Sequence, residues 1–358
     1  MAASGDIPGS DRNSGKRHEP LWSSLAPVQP LADSGPFRLF ALHGSEAIGE
    51  AIASRLGGTL NKHEEREFED GEHKARALDD VRGTHAYIVH SLHGGPEHSA
   101  GEKLCRLLFF IGALKDAGAA KVTAVTPYLC YARKDRRTKP HDPVTIRYIA
   151  AMFEAVGADR VVTLEVHNPA AFENAFRCPT VTLNSTLLWV DYCRKLEGDR
   201  LCVVSPDTGG AKRAELLRQT LETATGREVQ SAFAEKYRSG GIVSGHHFVG
   251  DVSGATALII DDLISSGGTL LRAAKAARQV GAQRVIALVT HGLFMEGAED
   301  AIADEAIDRI AITDTVPPFR LKDSAVLAKI DILPGSAMLA ETIRRLHENR
   351  PLTDLLVF

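Results

Sequence analysis

The chain has 358 residues, of which 44% are hydrophobic and 25% charged, and its formal net charge at pH 7 is -4. This composition is typical of a globular protein with more than one core, and it is not basic enough to predict a nucleic acid partner. No apolar run is long enough for a membrane span or a secretory signal, and the five cysteines lack metal-ligand spacing. We therefore predict a cytoplasmic protein of two domains, with no membrane partner.

The first segment differs in composition from the rest of the chain. Residues 1–36 are rich in Ser, Gly, Pro and Asp and show no hydrophobic period. Such a segment does not bury enough apolar surface to offset the entropy that is lost on ordering. We predict a disordered extension over 1–36, an N-terminal domain over 37–180 and a C-terminal domain over 181–334. Residues 335–358 are expected to pack back onto the first domain.

From Phe37 onward, helical patterns alternate with short apolar runs. One phrase recurs three times, as "GAAKVTAV" from Gly118, "GADRVVTL" from Gly157 and "GAQRVIAL" from Gly281, and each copy follows an amphipathic stretch. Glycine permits a left-handed helix end, and the β-branched run after it predicts a buried strand. The predicted fold class is therefore α/β, with two tandem doubly wound domains and mainly parallel sheets. Ligands of such sheets bind beyond the carboxyl ends of the strands.

The first polar motif in chain order is "REFEDGEHKARA", which places Phe68, Asp70 and Glu72 around Gly71. An Asp-Gly pair between two polar strands is typical of a tight hairpin, and by itself the motif favours that structural interpretation. The alternative interpretation is that the motif binds a nucleotide base. An aromatic ring beside carboxylates is suited to stack on a purine and to accept a hydrogen bond from its exocyclic amine.

A dense group of positive charges follows the next predicted strand. The run "VTAVTPYLCYA" leads into "RKDRRTKPHDP", which begins with Arg133, Lys134 and Asp135. So much positive charge at a strand end indicates a polyphosphate ligand, because guanidinium and ammonium groups pair well with phosphate oxygens. A solvated charged loop is the alternative interpretation of the same residues.

Two further strand ends carry candidate metal ligands. The strand "VVTLEVH" ends at His167, and "LCVVSPDTGGAKR" brings Asp207 to a strand end of the second domain. A lone histidine is usually structural. The pair is also suited to a magnesium ion in the cleft between the domains, where phosphate oxygens would complete the ligand shell.

A glycine-rich segment separates this region from the next strand. The stretch "AEKYRSGGIVSGHHFVGD" sets Lys236 and Arg238 just before its glycines. This composition predicts a mobile loop that carries two cations. Such a loop is suited to close as a lid over a reacting phosphate.

The stretch "ALIIDDLISSGGTLLRAA" combines a buried strand, two acids and a helix start. Its polar residues are Asp261, Asp262, Ser265, Ser266, Gly267, Gly268 and Thr269. The glycines allow a close approach to the backbone, and the hydroxyls lie beside free helix-start amides, which suits a phosphate. The carboxylates suit sugar hydroxyls or a metal ion. We predict a sugar phosphate ligand; an acidic strand end before a Ser-capped helix is the alternative.

In this order, the motifs resemble those of the ribose-phosphate diphosphokinases, the synthetases of phosphoribosyl pyrophosphate. The resemblance extends from about Phe37 to the end of the chain. "FEDGE" is similar to the family's adenine-binding loop, which a neighbouring subunit supplies, and "PYLCYARKDRR" to its segment for the ATP phosphates. "SPDTGGAKR" is similar to its magnesium-linked loop, and "DDLISSGGT" to its ribose 5-phosphate loop. The resemblance also implies a phosphoribosyltransferase-like fold for both domains.

The resemblance implies an enzyme that moves the β,γ-diphosphoryl group of ATP to the anomeric hydroxyl of ribose 5-phosphate. The products would be phosphoribosyl pyrophosphate and AMP, the cofactor Mg²⁺, and the assembly a homo-oligomer built from dimers. The implied roles are catalysis by Lys236 and Arg238; ATP binding by Phe68, Asp70, Gly71, Glu72, Arg133, Lys134 and Asp135; ribose 5-phosphate binding by Arg238, Asp261, Asp262 and residues 265–269; and metal binding by His167 and Asp207.

Some positions depart from the family pattern. Ser265 stands where many members have Asp, Lys134 where Gln is common, and Tyr237 where a basic residue is usual. The C-terminal "RPLTDLLVF" lacks the usual serine pair, so we expect activity to depend only weakly on inorganic phosphate.

Two other interpretations stay open. One is a phosphoribosyltransferase, which shares the "DD…SGGT" signature but consumes the product. The other is a non-catalytic regulatory paralogue of the synthetase. The N-terminal domain with "FEDGE" argues against the first, and the presence of Lys236, Arg238 and His167 argues against the second.

Overall fold

The computed structural model describes residues 35–196, 200–239 and 242–357, and within 235–247 it describes the course of the backbone. The extension that we predicted to be disordered falls almost wholly on residues 1–34, which lie outside the described part. The described residues form two mainly parallel sheets flanked by helices, together with a small hairpin. The predicted α/β class is confirmed.

The first sheet is five-stranded, with the order β1-β4-β5-β6-β7, and each of its pairings is parallel. Its region of the chain comprises β1 (Phe37–Ala41), α1 (Glu46–Arg55), β2 (His63–Glu67), β3 (His73–Ala77), β4 (His85–Val89), α2 (Ala100–Asp116), β5 (Lys121–Thr126), α3 (Thr145–Ala155), β6 (Arg160–Leu164), α4 (Pro169–Ala175) and β7 (Thr180–Leu183). The strands β2 and β3 form a separate antiparallel hairpin.

The second sheet is seven-stranded, with the order β10-β9-β8-β11-β12-β13-β14. Its region comprises α5 (Thr186–Arg194), β8 (Leu201–Ser205), α6 (Ala211–Thr225), β9 (Gln230–Ser239), β10 (Ile242–Val249), β11 (Thr256–Ile264), α7 (Gly268–Gln279), β12 (Arg284–Gly292), α8 (Ala298–Ala303), β13 (Arg309–Thr313), α9 (Ser324–Leu327), β14 (Ile330–Leu333) and α10 (Gly335–His347). The pair β9–β10 is antiparallel, and the other pairs are parallel.

The repeated "GA" phrase marks three helix-to-strand connections. Gly118, Gly157 and Gly281 follow α2, α3 and α7, and their φ angles are 89°, 89° and 94°. Glycine adopts this left-handed region without the steric cost that a Cβ atom imposes. Each connection then enters a buried parallel strand, β5, β6 or β12, as the phrase predicts.

Helices cover both faces of each sheet, which explains why the strand sequences are apolar on both sides. In the first sheet, α2 and α3 bury one face, while α1 and α10 bury the other. Met338 and Ile343 of α10 pack with Leu39 and Ile52 there, and Arg344 Nη2 donates to the Arg55 carbonyl at 2.8 Å. Among the described residues, no helix is long and apolar enough to cross a membrane.

Three element boundaries differ from the sequence-based expectation. The strand β5 ends at Thr126, because Pro127 has no N–H to continue the ladder. The strand β6 ends at Leu164, before His167. The strand β11 does not end at its acids but continues to Ile264. Leu263 and Ile264, which follow the acids, still pair with His291 and Gly292 of β12.

The glycine-rich segment also differs from its prediction. Instead of an irregular loop, its backbone forms β9 and β10, in which Lys236 pairs with His246 and Arg238 with Val243. The sequences "QSAFAEKYRS" and "IVSGHHFV" carry β-branched and aromatic residues, which favour strands. Gly240 and Gly241, between the two strands, lie outside the described residues.

Lys103 of α2 is a buried lysine, with 3% of its surface exposed. Its ammonium donates to the Ser91 carbonyl at 3.3 Å, and burial lowers its pKa to about 8. The unfolded chain keeps the ordinary value of 10.5. Between these two values the unfolded state binds more protons than the folded state, so the contribution of Lys103 to stability rises with pH.

Replacing the buried ammonium tests the lowered pKa of Lys103. Relative to Lys103→Met, the free energy of unfolding of the wild type should rise by about 3 kcal/mol between pH 8 and 10.5, because one pKa unit corresponds to about 1.4 kcal/mol. Urea unfolding of both proteins at several pH values measures the difference. A difference that stays constant over this range would contradict the depressed pKa.

Candidate active site

The candidate metal ligands and the two acids lie beyond or near the carboxyl ends of parallel strands. His167 follows β6 of the first sheet, Asp207 follows β8 of the second, and Asp261 and Asp262 lie in the last half of β11. A hydrogen bond joins the two sheets here, with 2.8 Å between His167 Nδ1 and Asp262 Oδ2. We call this region the carboxyl edge; it comprises His167, Asp261 and Asp262 with the residues that contact them.

Arg213, in the first turn of α6, holds the carboxyl edge together. Its Nε donates to Glu165 Oε1 at 3.0 Å, and its two terminal nitrogens lie 3.6 Å from Asp261 Oδ1 and 3.8 Å from Asp262 Oδ1. The exposed fractions of the Arg213, Glu165 and Asp262 side chains are 16%, 8% and 6%. One buried guanidinium therefore neutralises carboxylates from both sheets.

The two neighbouring acids titrate in opposite directions. Burial raises the pKa of Asp261, and the adjacent carboxyl of Asp262 raises it further. Burial also opposes the ionisation of Asp262, but the hydrogen bond from His167 and the charge of Arg213 prevail and lower its pKa. The same hydrogen bond raises the pKa of His167. Asp262 thus accepts a hydrogen bond from His167 Nδ1, while Asp261 is the acid that keeps a proton more readily and is able to donate a hydrogen bond.

A buried histidine fixes the backbone behind Arg213. His291 Nε2 donates to the Glu165 carbonyl at 2.9 Å, and Nδ1 accepts from the Thr315 hydroxyl at 2.8 Å. Burial lowers the pKa of His291, which keeps the imidazole in the neutral form that this pair of bonds requires. Glu165 itself has a φ of 51°, and its Oε2 accepts from the Ser185 amide at 3.1 Å. This left-handed backbone is costly for a non-glycine residue, and it occurs where the two sheets meet.

The positively charged segment reaches the carboxyl edge through Asp135. Asn168 Nδ2, next to His167, donates to Asp135 Oδ2 at 2.6 Å, and its Oδ1 accepts from an amide of α4. Lys134 instead donates to Asp142 and to the Thr138 hydroxyl in its own loop. Arg133 is exposed. The structure therefore brings Asp135 to the edge, but it directs Lys134 away.

The "FEDGE" motif forms the turn between β2 and β3. Gly71 has a φ of 86°, and the Glu72 amide donates to Asp70 Oδ1 at 3.0 Å, which agrees with the hairpin interpretation. Phe68 and the turn residues are exposed. In the described part of the chain, no hydrogen bond or ion pair links these residues to the carboxyl edge. The structure of one chain does not bring them to the other site residues.

The loop after β11 leaves helix-start amides open. The N-cap of α7 is Gly267, with a φ of 76°, and among the described side chains none caps this end. A Cβ atom on Gly267 would lie 2.7 Å from the Ala301 Cβ, so both the conformation and the packing require glycine. The interpretation as a Ser-capped helix is therefore wrong. Ser265, Ser266 and Thr269 are next to this helix start in the chain, and the Thr269 hydroxyl accepts from Arg272 Nη2 at 3.0 Å.

Lys236 and Arg238 lie in β9, and their side chains lie outside the described part. Their position relative to the carboxyl edge stays a prediction. Asp207 precedes α6, where its Oδ1 accepts from the amides of Gly209 and Gly210 at 2.9 and 3.1 Å.

Sequence reasoning missed three residues of the site: Arg213, Glu165 and His291. Arg213 lies in the quoted motif "SPDTGGAKR", so its place at a helix start beyond a strand was a usable signal. Glu165 lies in the quoted run "VVTLEVH", but its role and that of His291 depend on contacts between distant parts of the chain. These contacts join residues that are 48 and 126 positions apart.

Comparison with known proteins shows where this arrangement belongs. A family model described as the N-terminal domain of ribose phosphate pyrophosphokinase matches residues 37–157, and a phosphoribosyl synthetase-associated domain matches residues 244–357. Ribose-phosphate pyrophosphokinase 1 of Streptococcus pyogenes is 34% identical over 322 residues, which cover 89% of this chain and 97% of that protein. The chain belongs to the ribose-phosphate pyrophosphokinase family.

Other members of the pyrophosphokinase family give the same result. Ribose-phosphate pyrophosphokinase 2 of Enterococcus faecalis is 33% identical over 321 residues, which cover 89% of this chain and 95% of that protein. The crystal structure of phosphoribosylpyrophosphate synthetase from Mycobacterium smegmatis matches with a TM-score of 0.79 at 29% identity. That match covers 88% of this chain and 100% of the crystallised one. The family resemblance inferred from the motifs is confirmed.

Two arginines of α6 provide a matched test of the carboxyl edge in this family member. Arg213→Met should lower the free energy of unfolding by about 3–5 kcal/mol, because it leaves buried carboxylates without their cation. Arg218→Met should cost less than about 1 kcal/mol, because Arg218 pairs with the more exposed Glu215 and Glu222. Urea unfolding measures both costs. Equal costs would contradict the role of Arg213.

Proposed function

We propose that this protein transfers the β,γ-diphosphoryl group of ATP to the anomeric hydroxyl of ribose 5-phosphate, which yields phosphoribosyl pyrophosphate and AMP. The observation that carries this proposal is a family match through both halves of the chain, over 97% of a named pyrophosphokinase. The phosphoribosyltransferase interpretation rests on a signature that the second half contains. It leaves the first half unexplained.

The ribose 5-phosphate site is assigned to the end of β11 and the start of α7. Asp262, ionised and fixed by His167, accepts from a sugar hydroxyl, while Asp261 both donates and accepts when it carries a proton. The amides of α7 and the hydroxyls of residues 265–269 hold the 5-phosphate. Ser265 supplies a neutral hydroxyl where a third carboxylate would repel the phosphates.

The reaction needs neutralisation of charge more than covalent help. The anomeric oxygen attacks the β-phosphorus in line, the bond from that phosphorus to the bridging oxygen of AMP breaks, and the hydroxyl proton is released to solvent. Lys236 and Arg238, on the hairpin β9–β10, are assigned to the charge on the transferring group, where fixed cations act most strongly. Arg133 and Asp135 are assigned to ATP together with Lys134, which first has to leave Asp142.

The donors at His167 and Asp207 fit a magnesium ion that is held mostly by phosphate oxygens. His167 Nδ1 is occupied by Asp262, which leaves Nε2, and the hydrogen bonds described for the Asp207 carboxylate fall on Oδ1, which leaves Oδ2. Mg²⁺ commonly takes one or two protein ligands and completes its shell from phosphates and water. When bound, it supplies neutralisation of the phosphate charge.

The subunit arrangement is inferred from the exposed "FEDGE" turn, and the cellular compartment from the cysteines. We assign residues 37–180 to ATP and residues 181–334 to ribose 5-phosphate. The exposed "FEDGE" turn, which does not reach its own carboxyl edge, is assigned to the ATP site of a neighbouring subunit in a homo-oligomer built from dimers. All five cysteines are unpaired, which supports a reducing, cytoplasmic setting.

AMP formation tests the function. Purified protein should release AMP and phosphoribosyl pyrophosphate when ATP, Mg²⁺ and ribose 5-phosphate are combined. Lys236→Ala should reduce this turnover by about a hundredfold or more with nucleotide binding retained, because the cation acts chiefly in the transition state. The control Lys322→Ala removes an exposed lysine elsewhere and should keep the wild-type rate. AMP release by Lys236→Ala within about threefold of the wild type would contradict the catalytic role.

Subunit mixing tests the shared ATP site. Lys236→Ala and the hairpin variant Asp70→Ala/Glu72→Ala should each have little activity. Co-expression should restore activity to about a quarter of the wild-type level, because half of the pairs are mixed and each mixed pair holds one intact site. The control is co-expression of Lys236→Ala with itself. If the hairpin serves its own chain, co-expression restores nothing, and the shared site is contradicted.

A further inference from the structure

Three potential metal ligands that are not part of the carboxyl edge lie close to one another. His43 follows β1, and Glu97 and His98 lie in the loop between β4 and α2. One ligand atom from each residue lies within 4.8 Å of the others. His43 Nε2 is 2.5 Å from Glu97 Oε2, and the rings of His43 and His98 lie 5.9 Å apart between centroids. We call these three residues the histidine cluster.

A second carboxylate orients the imidazole of His43. Glu46 Oε1 lies 2.9 Å from His43 Nδ1, and Glu46 Oε2 accepts from the Gly44 amide at 2.8 Å. With Nδ1 donating to a carboxylate, the other nitrogen, Nε2, faces Glu97. Histidines that bind metals commonly have this arrangement, because the partner at the first nitrogen fixes the tautomer and the ring orientation.

The backbone under the histidine cluster is held in place. The His43 amide donates to Glu65 Oε1 at 2.7 Å, and the Gly95 amide donates to the His98 carbonyl at 2.8 Å. Ser99, next to His98, forms a capping box at the start of α2 with Glu102. Ligands on such supported loops lose little freedom when a metal binds, which favours affinity.

We propose that His43, Glu97 and His98 bind a divalent transition-metal ion, with zinc as the best match. Two imidazoles and a carboxylate form a donor set typical of Zn²⁺, whereas Mg²⁺ prefers oxygen ligands. The Glu46 and Glu97 carboxylates balance the two positive charges of the ion. Binding replaces the Nε2 proton of His43, and it leaves a fourth position for water or a small anion.

The metal would add a link between two loops that already share a hydrogen bond, from the Ser91 amide to the Ser45 hydroxyl at 3.0 Å. It would connect the β1–α1 loop to the β4–α2 loop, whose Gly94 carbonyl accepts from Arg320 Nη2 at 2.6 Å. Since Arg320 belongs to the second half of the chain, zinc would stabilise a loop that contacts both halves. This role is independent of diphosphoryl transfer.

Calorimetric titration of the untagged full-length protein with zinc, in excess Mg²⁺, tests the proposal. We expect one equivalent of zinc, with affinity reduced about a hundredfold or more in His98→Ala and about tenfold or more in Glu46→Gln, which removes the orienting carboxylate. His141→Ala removes an exposed histidine elsewhere, and His167→Ala removes the histidine of the carboxyl edge. Both controls should retain the full equivalent.

Cobalt gives an independent readout of the ligand set. Co²⁺ should give visible absorption bands of a low-coordinate site with nitrogen ligands in the wild type, and Glu97→Gln and His98→Ala should lose them with an unchanged circular dichroism spectrum. Zinc binding that survives in both His43→Ala and His98→Ala, or that disappears in His167→Ala, would overturn the proposal. Absence of zinc binding in excess Mg²⁺ would also overturn it.

Discussion

A buried carboxylate is tolerated when a cation and hydrogen bonds replace the water that it has lost. At the junction of the two sheets, the guanidinium of Arg213 meets that requirement for Glu165 of the first half and for Asp261 and Asp262 of the second. The other features of the site depend on this contact. It allows Asp262 to stay ionised and to hold His167, and it leaves Asp261 as the acid whose burial is less fully compensated.

The position of the acids within β11 makes them rigid. This strand pairs with β8 over residues 256–259 and with β12 as far as Ile264, and Asp261 is in register with Val289. The groups assigned to the sugar therefore have little freedom to lose on binding, whereas the assigned cations lie on β9, the second strand from the end of the sheet. In the proposed arrangement, the groups for the sugar lie on an inner strand of the sheet and the cations lie nearer its end.

Local sequence signals predicted much of the fold, and long-range contacts explain what they missed. The "GA" phrase identified three helix-to-strand connections, because a left-handed glycine and a β-branched run act within a few residues. The loop after Asp262 was assigned to phosphate for the same reason. Arg213 was not singled out, since its partners Glu165, Asp261 and Asp262 are all distant from it along the chain. The Lys236 segment was predicted as a loop because its glycines were given more weight than its strand-forming residues.

The position of α10 in the chain has a consequence for folding during synthesis. It completes one face of the first sheet, yet Arg344 lies 289 positions after Arg55, whose carbonyl it contacts. During synthesis, Leu39 and Ile52 of the first half therefore lack their α10 contacts until nearly the whole described chain has left the ribosome. Domains usually fold in the order of their synthesis, and exposed apolar surface invites aggregation in the interval. Translation that stops before α10 would leave exposed apolar surface to which chaperones bind. The first half is therefore completely folded only after the second half has been synthesised.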